Sequence, residues 1–71
     1  MPGIRSTKRA RRALEKLGFV FVGVDGSHFH YRAPNGRKIT VVLGHKEISE
    51  ASLKKAVALG DVAWTDFEAQ Y

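Results

Sequence analysis

The stretch Phe19-Val20-Phe21-Val22-Gly23-Val24-Asp25-Gly26-Ser27-His28-Phe29-His30-Tyr31-Arg32 decides the fold. Both of its halves are rich in aromatic and β-branched residues, which suit a pleated, half-buried surface. Asp25-Gly26 between them is a hairpin signal, because glycine takes the positive φ of a tight turn at no steric cost. The reading is a strand over residues 19–24 and a returning strand over 28–32. Alternation on the returning strand puts His28 and His30 on one face and Phe29 and Tyr31 on the other. The aromatic pair is expected to enter a core while both imidazoles face solvent or a ligand.

Working outward, Pro34-Asn35-Gly36 marks a second turn. Residues 38–43 then read as a third strand, with Ile39, Val41 and Leu43 on one side and Lys38, Thr40 and Val42 on the other. The three strands make an antiparallel meander. Upstream, Ala10, Ala13, Leu14 and Leu17 fall at i, i+3, i+4 and i+7, one stripe of a helix over residues 6–17. Ser6 or Thr7 caps its start, and Gly18 suits a left-handed end. Downstream, residues 44–48 read as a loop and Ser49 caps a second helix over 50–59, with Glu50 in its first turn. Leu53, Ala56, Val57 and Ala51 form its buried stripe, and Gly60 ends it. Thr65 and Glu68 have capping-box spacing and start a short terminal helix. Trp64, Phe67 and Tyr71 either close the core or cover a partner-facing groove. The expected fold is α+β, with the order α-β-β-β-α, a three-stranded antiparallel sheet and both helices on one of its faces. One domain spans residues 1–71.

Twelve Lys/Arg against seven Asp/Glu give a net charge of +5 and an isoelectric point near 10.0. This balance favours polyanions: nucleic acid first, an acidic protein second, an anionic membrane surface third. The absence of cysteine excludes disulfides and thiolate metal sites. No apolar run approaches the roughly 20 residues of a membrane span. The first residues do not resemble a secretory signal, so a cytoplasmic protein with no membrane partner is expected. The polar face of the first helix carries Lys8, Arg9, Arg11, Arg12, Glu15 and Lys16. Its plainest reading is a solvated surface with Arg11 and Glu15 as an i,i+4 pair.

Several ordered segments resemble one family. Lys16-Leu17-Gly18-Phe19, Gly26-Ser27-His28, Tyr31-Arg32, Pro34-Asn35-Gly36-Arg37 and Val41 followed by Gly44-His45 are similar to the HicA (YcfA-like) toxins, bacterial mRNA interferases. Leu53-Lys54 and Thr65-Asp66-Phe67 extend the likeness, which runs from about Lys8 to Phe67. The resemblance implies a double-stranded-RNA-binding-domain-like fold and cofactor-free ribonuclease activity. It also implies a HicB-type antitoxin that covers the active site, and a catalytic histidine at His28. Many members carry a second histidine directly after the first, where this chain has Phe29, and the next histidine here is His30.

The chemistry fits those residue types. RNA brings its own nucleophile, the 2′-hydroxyl, so the protein must move protons and stabilise phosphate charge. An imidazole titrating near neutral pH suits either proton role, and His28 is the candidate general base or acid. Gly26 lets backbone approach a phosphate, Ser27 adds a hydroxyl, and His30 shares the face of His28; these three are candidate supports. Lys8, Arg9, Arg11, Arg12, Arg32, Arg37, Lys38 and His45 are the candidate RNA-binding set. A zinc site of His28, His30 and His45 is disfavoured, because no neighbouring carboxylate offers a supporting hydrogen bond; neither metal nor cofactor is expected. Two other readings fit the same charge: a non-catalytic RNA-binding module, and an interaction protein whose basic face serves an acidic partner.

Overall fold

The computed structural model describes residues 3–44 and 46–71. The elements run β1 (Ile4–Ser6), α1 (Thr7–Lys16), β2 (Val20–Asp25), β3 (His28–Arg32), β4 (Lys38–Val42), β5 (Glu47–Ser49), α2 (Glu50–Leu59) and α3 (Trp64–Gln70). The central sheet is the expected antiparallel meander, ordered β2-β3-β4. None of these helices is long and apolar enough to cross a membrane.

Cross-strand partners share a sheet face, so the register sorts the side chains. Phe21, Tyr31 and Ile39 lie on one face with Val24, Phe29 and Val41; the opposite face carries His28, His30 and Arg32 with Val42, Thr40 and Lys38. The first face meets the helices. Tyr31, Ile39 and Val41 are buried there with Ala10, Ala13 and Leu14 of α1 and Leu53, Ala56 and Val57 of α2. Both helices therefore cover one side of the sheet, as the periodicities require.

Several local expectations are corrected. Residues 44–48 are not all loop: Glu47–Ser49 forms β5, which pairs antiparallel with β1. The hairpin turn is Gly26-Ser27, one residue beyond Asp25-Gly26, because Asp25 pairs with His28. Only Gly26 of the two has positive φ (64°), the pattern of a type II′ turn. Ser6 is the N-cap of α1, its Oγ accepting from the Arg9 backbone N–H at 3.3 Å. Thr7 instead is buried, and its hydroxyl donates to the Gly44 carbonyl at 2.9 Å. Ala51 is exposed, and Leu17 only packs against the edge of the core. The terminal helix begins at Ala63 with no side-chain cap, so Thr65 and Glu68 form no capping box. Trp64, Phe67 and Tyr71 close the core: Phe67 is fully buried, stacked on Trp64 at 4.9 Å and 5.8 Å from Tyr71.

Gly44 sits where β4 leaves the sheet, and a Cβ there would overlap the Glu47 carbonyl oxygen. That atom is backbone, held by the β1–β5 pairing, so it cannot swing aside as a flexible side chain would. Gly44→Ala should cost about 3 kcal/mol, read as a lower denaturant midpoint; a loss below about 0.5 kcal/mol would contradict this geometry.

A charged cluster ties the two-stranded ribbon to α2 and α3. The Arg5 guanidinium pairs with both Glu50 and Glu68, and Lys54 stands 3.8 Å from Glu50. The hydrogen bond from Arg5, with its positive charge and that of Lys54, holds the Glu50 carboxyl below its ordinary value against partial desolvation. A carboxylate depressed in the folded state contributes stability above its unfolded pKa of about 4.3, lost as pH falls through the folded value. Denaturation followed from pH 6 to pH 3 should therefore show a smaller drop for Glu50→Gln than for the parent chain. Equal drops would remove the pair from the acid response.

Candidate nucleic-acid interface

The Gly26-Ser27 turn organises the candidate site. A two-residue loop sets the residues flanking it directly opposite each other, so Asp25 and His28 are cross-strand partners at the end of the hairpin. His28 is exposed, and among the described residues its side chain makes no hydrogen bond. Two residues on, His30 is half-buried on the same face, and its Nδ1 lies 2.8 Å from the Thr40 hydroxyl. That contact orients the ring and leaves Nε2 outward. The strand alternation read from the sequence thus holds for both histidines.

Asp25 is the residue that sequence reading passed over: it is the cross-strand partner of His28, although no hydrogen bond or ion pair joins the two side chains. The signal was present: a hairpin with a two-residue loop pairs positions i and i+3. Among the described residues no group of three His, Asp or Glu side chains comes together as a metal site. His45, one of the candidate RNA contacts, lies outside the described residues.

The cations divide into three groups. Lys8 and Arg12 are exposed on α1 and line a groove of about 370 Å³ with Thr7, Arg11 and Glu15. Arg9 is turned to the C-terminal helix, its guanidinium carbon 4.2 Å above the Tyr71 ring and its Nη2 donating to the Tyr71 backbone oxygen at 2.9 Å. Arg32, Arg37 and Lys38 gather at the other end of the sheet. Arg32 lies four residue steps along the strand from His28, about 13 Å at 3.3 Å per residue, and the Arg32 guanidinium donates to the Gly36 carbonyl at 3.1 Å. These three therefore do not converge on the hairpin tip.

Arg11 departs most from expectation. It makes no ion pair with Glu15; its Nε donates to the Tyr31 hydroxyl at 3.1 Å. Its guanidinium lies over Phe29 at 4.9 Å and Phe21 at 5.2 Å. Aromatic contact outcompetes an exposed i,i+4 pair, since the former also desolvates ring and guanidinium faces. Arg11 lines the α1 groove and also a second cavity of about 330 Å³, formed with Thr7, Gly26, Ser27, Phe29, Leu43 and Gly44. Thr7 and Arg11 line both spaces, so the cations of α1 extend towards the Gly26-Ser27 turn on the helix-covered side of the sheet, while His28 and His30 stand on the opposite face.

Comparison with known proteins agrees with this architecture. A family model described as HicA toxin of bacterial toxin-antitoxin matches residues 7–59, from the start of α1 to the end of α2. No curated protein matches the chain. Matched over well more than half of its length, the chain belongs to the HicA toxin family, which makes it the toxin of a bacterial toxin–antitoxin pair and implies an antitoxin as its partner.

Proposed function

We propose that this toxin is a metal-independent endoribonuclease that cleaves mRNA in the cytoplasm, with His28 as the acid–base group and a HicB-type antitoxin as its inhibitor. The observation that carries the reading is the exposed, unengaged imidazole of His28, which directly follows the Gly26-Ser27 turn whose helix-side cavity Arg11 lines. The 2′-hydroxyl of the substrate attacks its own phosphodiester, and the 5′-oxygen leaves. His28 takes the hydroxyl proton or delivers one to the departing oxygen. His30, whose Nδ1 contacts the Thr40 hydroxyl on the same face, is the candidate for the complementary transfer. Lys8, Arg11 and Arg12 supply the positive field along the backbone, and the Ser27 hydroxyl is a further donor to phosphate oxygens.

The test incubates the protein with end-labelled single-stranded RNA in the presence of a chelator. Cleavage is the expected result, with binding that weakens steeply as salt rises, in proportion to the phosphates neutralised. Lys8→Ala with Arg12→Ala should reduce the slope of log affinity against log salt by about 2. Salt-sensitive binding with no cleavage would instead identify an RNA-binding module, and a flat salt response would remove RNA as the partner.

A further inference from the structure

The cavity at the hairpin tip has two unlike walls. Arg11 and Ser27 form a polar side, and the half-buried Phe29 an apolar one, with the buried Leu43 beneath it. Arg11 is held there before any ligand arrives, by the Tyr31 hydroxyl at Nε and by the rings of Phe21 and Phe29. Among the described residues its two Nη groups make no hydrogen bond and no carboxylate pairs with them. A fixed guanidinium fork with open N–H donors matches two oxygens of a phosphate.

A bare phosphate would leave the exposed part of Phe29 uncovered. At about 330 Å³ the space falls at the small end of the roughly 300–1,000 Å³ in which proteins hold small molecules. Apolar and aromatic surfaces beside an arginine are how unpaired RNA bases are held by proteins. At Gly26 the rim is open, since nothing lies within 4 Å of where a Cβ would stand.

We infer that this cavity seats one nucleotide of the RNA, from which the strand passes over the Gly26-Ser27 tip to reach His28 on the opposite face of the sheet. Its phosphate lies on Arg11, and its base or ribose rests against Phe29. The inference deepens the ribonuclease reading and rests on it. Ser27 is the hinge of the geometry: it lines the cavity and directly precedes His28, one Cα step of about 3.8 Å away. Seating a nucleotide there fixes the register of the strand at the histidine, so Arg11 is a substrate-positioning residue rather than one more surface cation.

The experiment titrates the isotopically labelled protein with adenosine 3′-monophosphate, with uridine 3′-monophosphate and with inorganic phosphate, following amide and Arg11 Nε resonances. Saturable shifts at Arg11, Ser27, Phe29 and Gly44 are expected with the nucleotides, and weaker ones with phosphate. Arg11→Lys keeps the charge but loses the fork, and nucleotide affinity should fall about tenfold. Ser27→Phe is a second variant that leaves the Arg11–Tyr31 contact in place and fills the cavity mouth; it should bind nucleotide no better than Arg11→Lys. Shifts confined to Lys8, Arg12 and Lys38, or unaffected by either variant, would overturn the assignment. Cavity shifts produced by an acidic peptide but not by nucleotides would also overturn it. RNA cleavage without nucleotide entry would sink this inference alone; nucleotide entry without RNA cleavage would sink the ribonuclease reading and leave the cavity as assigned.

Discussion

His28→Ala should lower RNA cleavage by about 10²–10⁴-fold, the range that a positioned acid–base group contributes, while leaving stability and RNA affinity nearly unchanged. The second half of the statement makes the first informative. His28 is exposed and its side chain makes no hydrogen bond among the described residues, so its removal opens no cavity and orphans no partner. Surface substitutions of this kind stay within about 0.5 kcal/mol. In the proposed site the phosphate contacts fall to other residues, so binding should persist at parent-like salt dependence. Retained cleavage within threefold in the folded variant would end the assignment. The second histidine is tested by the shape of the pH–rate profile rather than by rate alone. If His30 is the complementary group, His30→Ala removes one limb of the bell; a profile that keeps both limbs makes His30 a spectator held by Thr40.

The central sheet and its two covering helices were legible because their signals are local. Ala10, Ala13 and Leu14 declare a helical stripe, and Ile39, Val41 and Leu43 declare a strand face; all six are buried. The β1–β5 ribbon was not legible. Its strands have three residues each with 40 residues of chain between them, and only long-range pairing creates them. The face assignment of β2 was hidden for another reason. A register shift between Phe21 and Gly23 inserts Val22 as an extra residue, so Phe21 and Val24 share a face despite their odd spacing. At the site, strand alternation was enough to pair His28 with His30. The roles of Arg9, Arg11 and Arg32 were not, since a sequence shows charge but not which aromatic ring or carbonyl a long side chain will reach. A uniform cationic helix face was expected, and the structure resolves its five cations into three with no partner among the described residues (Lys8, Arg12 and Lys16), one fixed fork and one residue committed to Tyr71.

Phe67→Ala is expected to have the largest effect on stability, about 3–5 kcal/mol. Phe67 lies beyond residues 7–59, the segment the family model matches, yet its ring is fully buried and packs between Trp64 and Tyr71. Its loss therefore also loosens the anchors around it: Tyr71, whose hydroxyl accepts from the Ser6 backbone N–H at 2.6 Å, and the Arg9 guanidinium stacked above it. Domains of this size hold about 0.05–0.15 kcal/mol per residue, so such a cost consumes a large share of the total, and a fall in Tm of roughly 15–30 °C follows. Trp64→Ala should cost less, because that ring is only half-buried and its neighbour Phe67 remains. A loss under about 1 kcal/mol for Phe67→Ala would mean that α3 does not close the core. The two variants are also separable in the cell, where both should relieve toxicity. His28→Ala does so as an abundant, folded protein that still binds RNA and antitoxin. Phe67→Ala does so by depleting the folded state, so abundance and RNA binding should fall with activity, and excess antitoxin should restore abundance by binding the native form.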